Sequence, residues 1–198
     1  VVTYTNRGII KSVKESEYQA KGRRNKGQKA GNLKEDDSVR TMLTLTTKDD
    51  ILFITNFGKC HVLPAFKIPI STKTGAGKYI SNYLDLDSEE KIVSILSTTA
   101  NNKEQSLFMV TKNGTGKRLE LQLLSSRLSY TRVITLDEND ELAASSLIDK
   151  EQEAIAITAG GMLLRFNPND EKKGIRPTGR TASGVRAIRL KEFDYVVD

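Results

Sequence analysis

Residues 18–27 read Tyr-Gln-Ala-Lys-Gly-Arg-Arg-Asn-Lys-Gly, and with Lys29 they set five cationic side chains between Lys21 and Lys29 without one acid. Gly22 and Gly27 bracket the charge and permit a tightly bent loop. Ammonium and guanidinium groups arrayed this way suit one chemistry, neutralisation of a phosphate backbone. A solvated basic loop has the same composition, so its place in the chain must decide. Other chemistries lack their residues. His61 adjoins Cys60, but neighbours on a strand point to opposite faces and make no nucleophile–base pair. One cysteine and one histidine supply no zinc-ligand spacing. Gly75-Ala76-Gly77-Lys78 lacks the spacing and the following helix of a Walker loop. Paired acids read as water-facing turns rather than metal ligands, and the tyrosines as packing residues. No catalytic set emerges.

The elements that must position the loop come in repeats. Thr5-Asn6-Arg7-Gly8 returns as Thr55-Asn56-Phe57-Gly58, Thr111-Lys112-Asn113-Gly114 and Thr158-Ala159-Gly160-Gly161. Each follows a short apolar run and precedes another strand-like piece, which reads as a hairpin. A second landmark is an acidic turn after leucine: Leu33-Lys34-Glu35-Asp36-Asp37, Leu86-Asp87-Ser88-Glu89-Glu90, Leu136-Asp137-Glu138-Asn139-Asp140 and Leu190-Lys191-Glu192-Phe193-Asp194. A further apolar run follows each. Four units of about four strands and two hairpins result, at approximately 1–50, 51–105, 106–153 and 154–198. One four-stranded sheet cannot bury both its faces. Stacking such sheets radially solves this, so the chain is predicted to be all-β and propeller-like, one domain without internal linkers.

Composition agrees with a soluble protein bearing an anionic partner. The 198 residues are 37% hydrophobic with a net charge of +6, a mean hydropathy of −0.42 and a pI near 9.3. No apolar run approaches a membrane span of about 20 residues, no signal peptide opens the chain, and a lone cysteine fits a reducing, cytoplasmic setting. Positive charge recurs between hairpin glycine and acidic turn in every unit. The predicted DNA-binding belt comprises Lys21, Arg23, Arg24, Lys26 and Lys29 of the loop, with Arg7, Lys11, Lys59, Lys73 and Lys78. It continues through Lys117, Arg118, Arg127, Arg132, Arg165, Arg176, Arg180 and Arg186. Repeat symmetry is expected to put bases on one rim and acids on another.

At these residues the chain resembles the C-terminal DNA-wrapping domain of DNA gyrase A, in the type IIA topoisomerase family. Ser16-Glu17-Tyr18-Gln19-Ala20 with Lys21 to Gly27 matches the first repeat and its box, usually Q-R-R-G-G-K-G. Asp50-Ile51-Leu52-Phe53, Asn56-Phe57-Gly58-Lys59 and Phe66-Lys67-Ile68-Pro69 match the second. Ala182-Ser183-Gly184-Val185-Arg186-Ala187-Ile188-Arg189-Leu190 matches a later one. The box is degenerate: in register, Lys21 replaces the glutamine, Gly22 the first arginine, and Arg24 and Asn25 the two glycines. Tyr130 stands where a glycine is usual.

The resemblance implies a β-pinwheel whose blades exchange strands, and four blades here where the family has about six. It implies double-stranded DNA bent around a basic rim, biasing strand passage toward negative supercoiling. The implied partners are the remainder of gyrase A and the ATPase component of gyrase. Catalysis, ATP and Mg²⁺ would belong to the rest of the holoenzyme, with no cofactor in this domain and no membrane. The degenerate box keeps open the sister family, the corresponding C-terminal domain of topoisomerase IV. A propeller-like protein-interaction module is the alternative from another class.

Overall fold

The repeated Thr-x-x-Gly makes the same turn four times. Gly8, Gly58, Gly114 and Gly161 have φ of +79°, +68°, +83° and +78°, the left-handed conformation that glycine adopts without strain. Their N–H groups donate to the carbonyls of Thr5, Thr55, Thr111 and Thr158, each at 3.0 Å. The acidic landmark then closes the turn from outside. Asp37 accepts from the Arg7 N–H at 3.1 Å, Asp140 from the Asn113 N–H at 3.1 Å and Asp194 from the Gly160 N–H at 2.8 Å. Glu90 fills this place in the second unit, accepting from the Thr55 hydroxyl and from the Asp87 N–H. The two landmarks are halves of one clamp.

These clamps make stability depend on acid. The Thr158 hydroxyl and then the Gly160 N–H hold the Asp194 carboxyl below its ordinary range. Burial would raise Asp37 and Glu90, but the hydroxyls of Thr5 and Thr55 with nearby N–H donors outweigh it, and both sit low. A carboxylate depressed in the folded state stabilises fully above its unfolded pKa of about 4, and that stabilisation is lost as pH falls through the folded value. Thermal unfolding midpoints should hold steady above roughly pH 5 and fall below roughly pH 4. Combining Asp37→Asn, Glu90→Gln and Asp194→Asn should flatten that fall. An acid limb of undiminished slope in this variant would remove the clamps as its cause.

The computed structural model describes all residues except 19, 28–32, 34, 100–103 and 125–126. The first unit supplies β1 (Val2–Thr5), β2 (Ile9–Val13) and β3 (Val39–Leu43); the second supplies β4 (Asp50–Thr55), β5 (Lys59–Pro64), β6 (Ile70–Ser71), β7 (Lys78–Tyr79) and β8 (Ile92–Thr98). From the third come β9 (Ser106–Thr111), β10 (Thr115–Glu120), β11 (Thr131–Arg132) and β12 (Leu142–Ile148). β13 (Ala154–Ile157), β14 (Leu163–Phe166) and β15 (Val185–Arg186) belong to the fourth. Each of the first three units has one hairpin and a return strand, β3, β8 or β12, paired with the hairpin's first strand. The expected second hairpin does not form. Its place is taken by short strands given to the preceding sheet: β6 and β7 pair with β2, β11 with β5, and β15 with β10.

The cores lie between sheets. β4 alternates Ile51 and Phe53 toward the first sheet's Val2, Tyr4 and Ile10, and Leu52 and Ile54 toward the third sheet's Leu107 and Met109. Such a strand is buried on both faces, so each sheet depends on its neighbours. Return strands adjoin across sheets: Arg40 donates to the carbonyls of Ile92 and Val93 at 2.8 and 3.0 Å, and the Ser145 N–H to Ser94 Oγ at 3.0 Å. The exchanged strands occupy the opposite edge of the first three sheets. That edge is therefore the rim.

Candidate nucleic-acid interface

The organising loop stands clear of the protein. Lys21, Arg23, Arg24 and Lys26 are all exposed, and the Asn25 side-chain amide closes the bend on the Gly22 carbonyl at 3.1 Å. Arg24 has φ +72°, so the residue standing at a box glycine keeps the left-handed backbone that glycine favours. Lys29 lies outside the described residues. At the foot of the loop, the Tyr18 ring lies 4.8 Å beneath Lys73 Nζ. This joins the organising loop to the second glycine-bent basic loop, residues 71–78, where Lys78 is exposed.

The rim continues on the segments that carry the other exchanged strands. Arg127 is exposed beside β11 and Arg132 within it, and Arg176, Arg180 and Arg186 are exposed beside or within β15. Because each such segment sits on the outer edge of the preceding sheet, strand exchange itself spaces cations from blade to blade. Arg7 is exposed on its hairpin turn and donates to the Glu35 carbonyl at 3.2 Å. Arg165 is exposed and ion-paired with Glu153.

Four predicted belt residues are turned inward instead, which corrects the sequence reading. Lys11 is 7% exposed and Lys117 0%, with their ammonium groups on backbone carbonyls. Burial lowers both, Lys117 to about 8. Arg118 is half-buried and donates to the carbonyls of Pro168 and Ile175 at 2.9 and 3.1 Å. Lys59 bridges Asp87 at 2.6 Å and Glu90 at 3.1 Å, 4.6 Å above the Tyr130 ring. Burial opposes its charge, but the hydrogen bonds to Asp87 and Glu90 prevail and raise it. A cation already saturated by protein oxygens has little left for a phosphate.

His61 and Cys60 do face opposite ways: Cys60 lies in the core between the second and third sheets, and His61 meets the Ser129 carbonyl at 3.0 Å and Glu90 at 3.4 Å. Tyr130 tilts against His61 at 5.9 Å. The acids, expected on a separate rim, serve as the hairpin clamps. Sequence reasoning missed Tyr18 and Tyr130 as supports for cations; their nearness to basic loops was the available signal. Among the described residues no group of three or more His, Cys, Asp or Glu is placed to hold a metal. No described helix is long and apolar enough to cross a membrane.

A family model described as "DNA gyrase C-terminal domain, beta-propeller" matches residues 1–46, 49–99, 105–149 and 152–198. DNA gyrase A of Helicobacter pylori strain J99 is 38% identical over 200 residues, covering 100% of this chain and 24% of that protein. DNA gyrase A of Escherichia coli K12 is 34% identical over 198 residues, covering 100% of this chain and 22% of its own length. Among solved structures, the C-terminal domain of a DNA topoisomerase IV superposes with a TM-score of 0.81 at 29% identity, over 100% of this chain and 59% of that one. A DNA gyrase A C-terminal domain superposes with a TM-score of 0.71 at 25% identity, over 100% and 62%. The chain thus spans about a quarter of these curated relatives, and by the matched repeats and the gyrase A relatives along its whole length it belongs to the DNA gyrase C-terminal domain, beta-propeller family.

Proposed function

We propose that this chain binds duplex DNA along its outer rim without sequence preference and bends it, as part of a larger disc in a gyrase A protein. The observation that carries this reading is the recurrence of exposed arginine and lysine on exchanged segments of successive blades. Bending a site of about 20–30 bp by about 40–90° costs roughly 1–6 kcal/mol, so contacts distributed along the path are needed to offset it. Charges on separated blades provide that distribution, and a rim dominated by Lys and Arg suits recognition of shape and phosphate. In the complete enzyme, wrapping would select the sign of the DNA crossing and direct strand passage toward negative supercoiling. Cleavage, ATP and Mg²⁺ use belong to other parts of gyrase A and to the ATPase component, in the cytoplasm.

A second reading, the C-terminal domain of topoisomerase IV, is favoured by the degenerate box and by the 0.81 superposition. Both readings require contacts with duplex DNA along the rim, and duplex length tests whether those contacts extend to wrapping. A duplex of about 40 bp labelled at both ends should bind well and bring its ends together, whereas one of about 10 bp should bind weakly. Equal affinity for the two, with no approach of the ends, would end the wrapping proposal. Complete enzyme carrying alanine at Lys21, Arg23, Arg24 and Lys26 then separates the families: a gyrase should keep relaxation and lose negative supercoiling.

A further inference from the structure

Lys11 and Lys117 occupy the same place in the repeat, three residues beyond the hairpin glycines Gly8 and Gly114. Each reaches across its sheet to the loop received from the next unit. Lys11 Nζ donates to the carbonyls of Lys73 at 2.6 Å and Gly75 at 3.2 Å. Lys117 Nζ donates to the carbonyls of Arg180 at 3.0 Å and Ala182 at 2.8 Å. The acceptors correspond as well, because Lys73 and Gly75 stand to Lys78 of β7 as Arg180 and Ala182 stand to Val185 of β15. Those strands pair with Ile10 and Gly116, the residues just before the two lysines. In the second unit the equivalent residue is His61, whose Nδ1 meets the Ser129 carbonyl of the received loop. The fourth unit has Leu164 there.

We propose that Lys11 and Lys117 are positioning residues for the rim: from inside the fold, each pins by its backbone the loop whose side chains meet DNA. This rests on the DNA-binding reading above. The physical case is that both carbonyls of a loop converge on one buried ammonium. Hydrogen bonds from a charged donor are roughly twice as strong as neutral ones. Each loop is otherwise joined to the preceding sheet by exchanged strands of two residues, β6 and β7 or β15. The 176–182 loop is held besides by Thr135, whose N–H and hydroxyl donate to the carbonyls of Ala182 at 3.2 Å and Thr181 at 2.8 Å, and by the Thr178 N–H on the Arg118 carbonyl at 3.0 Å. Without the latch, Arg180 and Arg186 keep their charge but lose a fixed spacing, and a loop that must be ordered on binding weakens the complex. The lysines thus act on DNA without touching it.

Lys117→Met in the full-length protein, which keeps much of the chain's volume, tests this. Hydrogen exchange without DNA is measured at Thr178, Ala182 and Ala187, whose N–H groups bond to the carbonyls of Arg118, Gly179 and Gly114. Exchange at these amides should quicken by roughly tenfold or more, while the Gly58 amide in the second sheet stays as in wild type. Affinity for a long duplex should fall in Lys117→Met, and that loss should vanish when Arg180→Ala and Arg186→Ala are already present. Lys117→Gln retains N–H donors and should fall between wild type and Met in both measurements, which serves if the Met variant does not fold. Unchanged loop exchange in a folded variant overturns the latch. An affinity loss that simply adds to that of the two arginines overturns action through the loop. If wild type binds no duplex, the DNA reading and the positioning role fail, and the exchange result still reports on the latch.

Discussion

Raising salt from about 50 to about 200 mM should weaken duplex binding by roughly 10³–10⁵-fold, as log K falls against log salt with a slope of about −0.9 per phosphate over about 6–10 contacts. The exposed charges on separate blades set that range. Lys21, Arg23, Arg24 and Lys26 occupy the organising loop, Lys78 the neighbouring one, Arg127 and Arg132 the next blade, and Arg176, Arg180 and Arg186 the last. Lys11, Lys59 and Lys117 are left out because carbonyls and carboxylates already hold their ammonium groups. Arg118 is omitted because it serves the carbonyls of Pro168 and Ile175. Alanine at the four loop cations should shrink the slope by at most about 4 units and leave the remainder on other blades. A wild-type slope shallower than about −3 would reduce the belt to a local contact. A protein-interaction module would show such a shallow slope together with saturable, partner-specific affinity.

The hairpins were legible because their chemistry is local. Threonine and glycine three residues apart, followed by an acid, suffice to build and clamp the turn. The unbroken apolar run Ile51-Leu52-Phe53-Ile54 likewise fits a strand buried on both faces, and so a stack of sheets. Strand exchange left little trace from periodicity alone, and only the family resemblance implied it. β7, β11 and β15 have two residues each, too short for any period, and their partners belong to another unit.

The belt was legible as charge but not as exposure. Lys11 follows Ile9 and Ile10 and looks like the polar member of an alternating strand, yet it points at a loop more than sixty residues later. Composition cannot distinguish a cation facing water from one facing carbonyls. The usable signal was positional: lysine at glycine-plus-three in two units, with histidine there in a third, implies one shared environment. Tyr130 supports this, because where the usual glycine is lost the latch residue changes too, to His61, and the ring rests against it.

Gly184→Ala should destabilise the protein by about 3 kcal/mol, as an overpacked contact of about 1–3 kcal/mol combined with a left-handed backbone costing about 1–2 kcal/mol. Gly184 has φ +96°, and a Cβ there would lie 2.5 Å from the Gly116 carbonyl oxygen and 3.1 Å from Thr115 Cγ2. Both obstacles belong to β10, the strand that receives β15, so the substitution pushes the exchanged strand off the sheet that it completes. The neighbouring atom is backbone and cannot swing aside. Gly179 provides the control within the same loop, since a Cβ there meets nothing within 4 Å. Gly179→Ala should therefore be neutral or gain roughly 0.4–1 kcal/mol by restricting the unfolded chain. Thermal unfolding of the two variants beside wild type measures the difference, and for a chain of this size about 3 kcal/mol corresponds to a midpoint lower by roughly 6–12 °C. DNA binding should follow stability only in Gly184→Ala, where Arg180 and Arg186 move with the displaced strand. Equal unfolding of the two variants would show that this close approach does not hold the exchanged strand, and that the third sheet keeps its edge by other contacts.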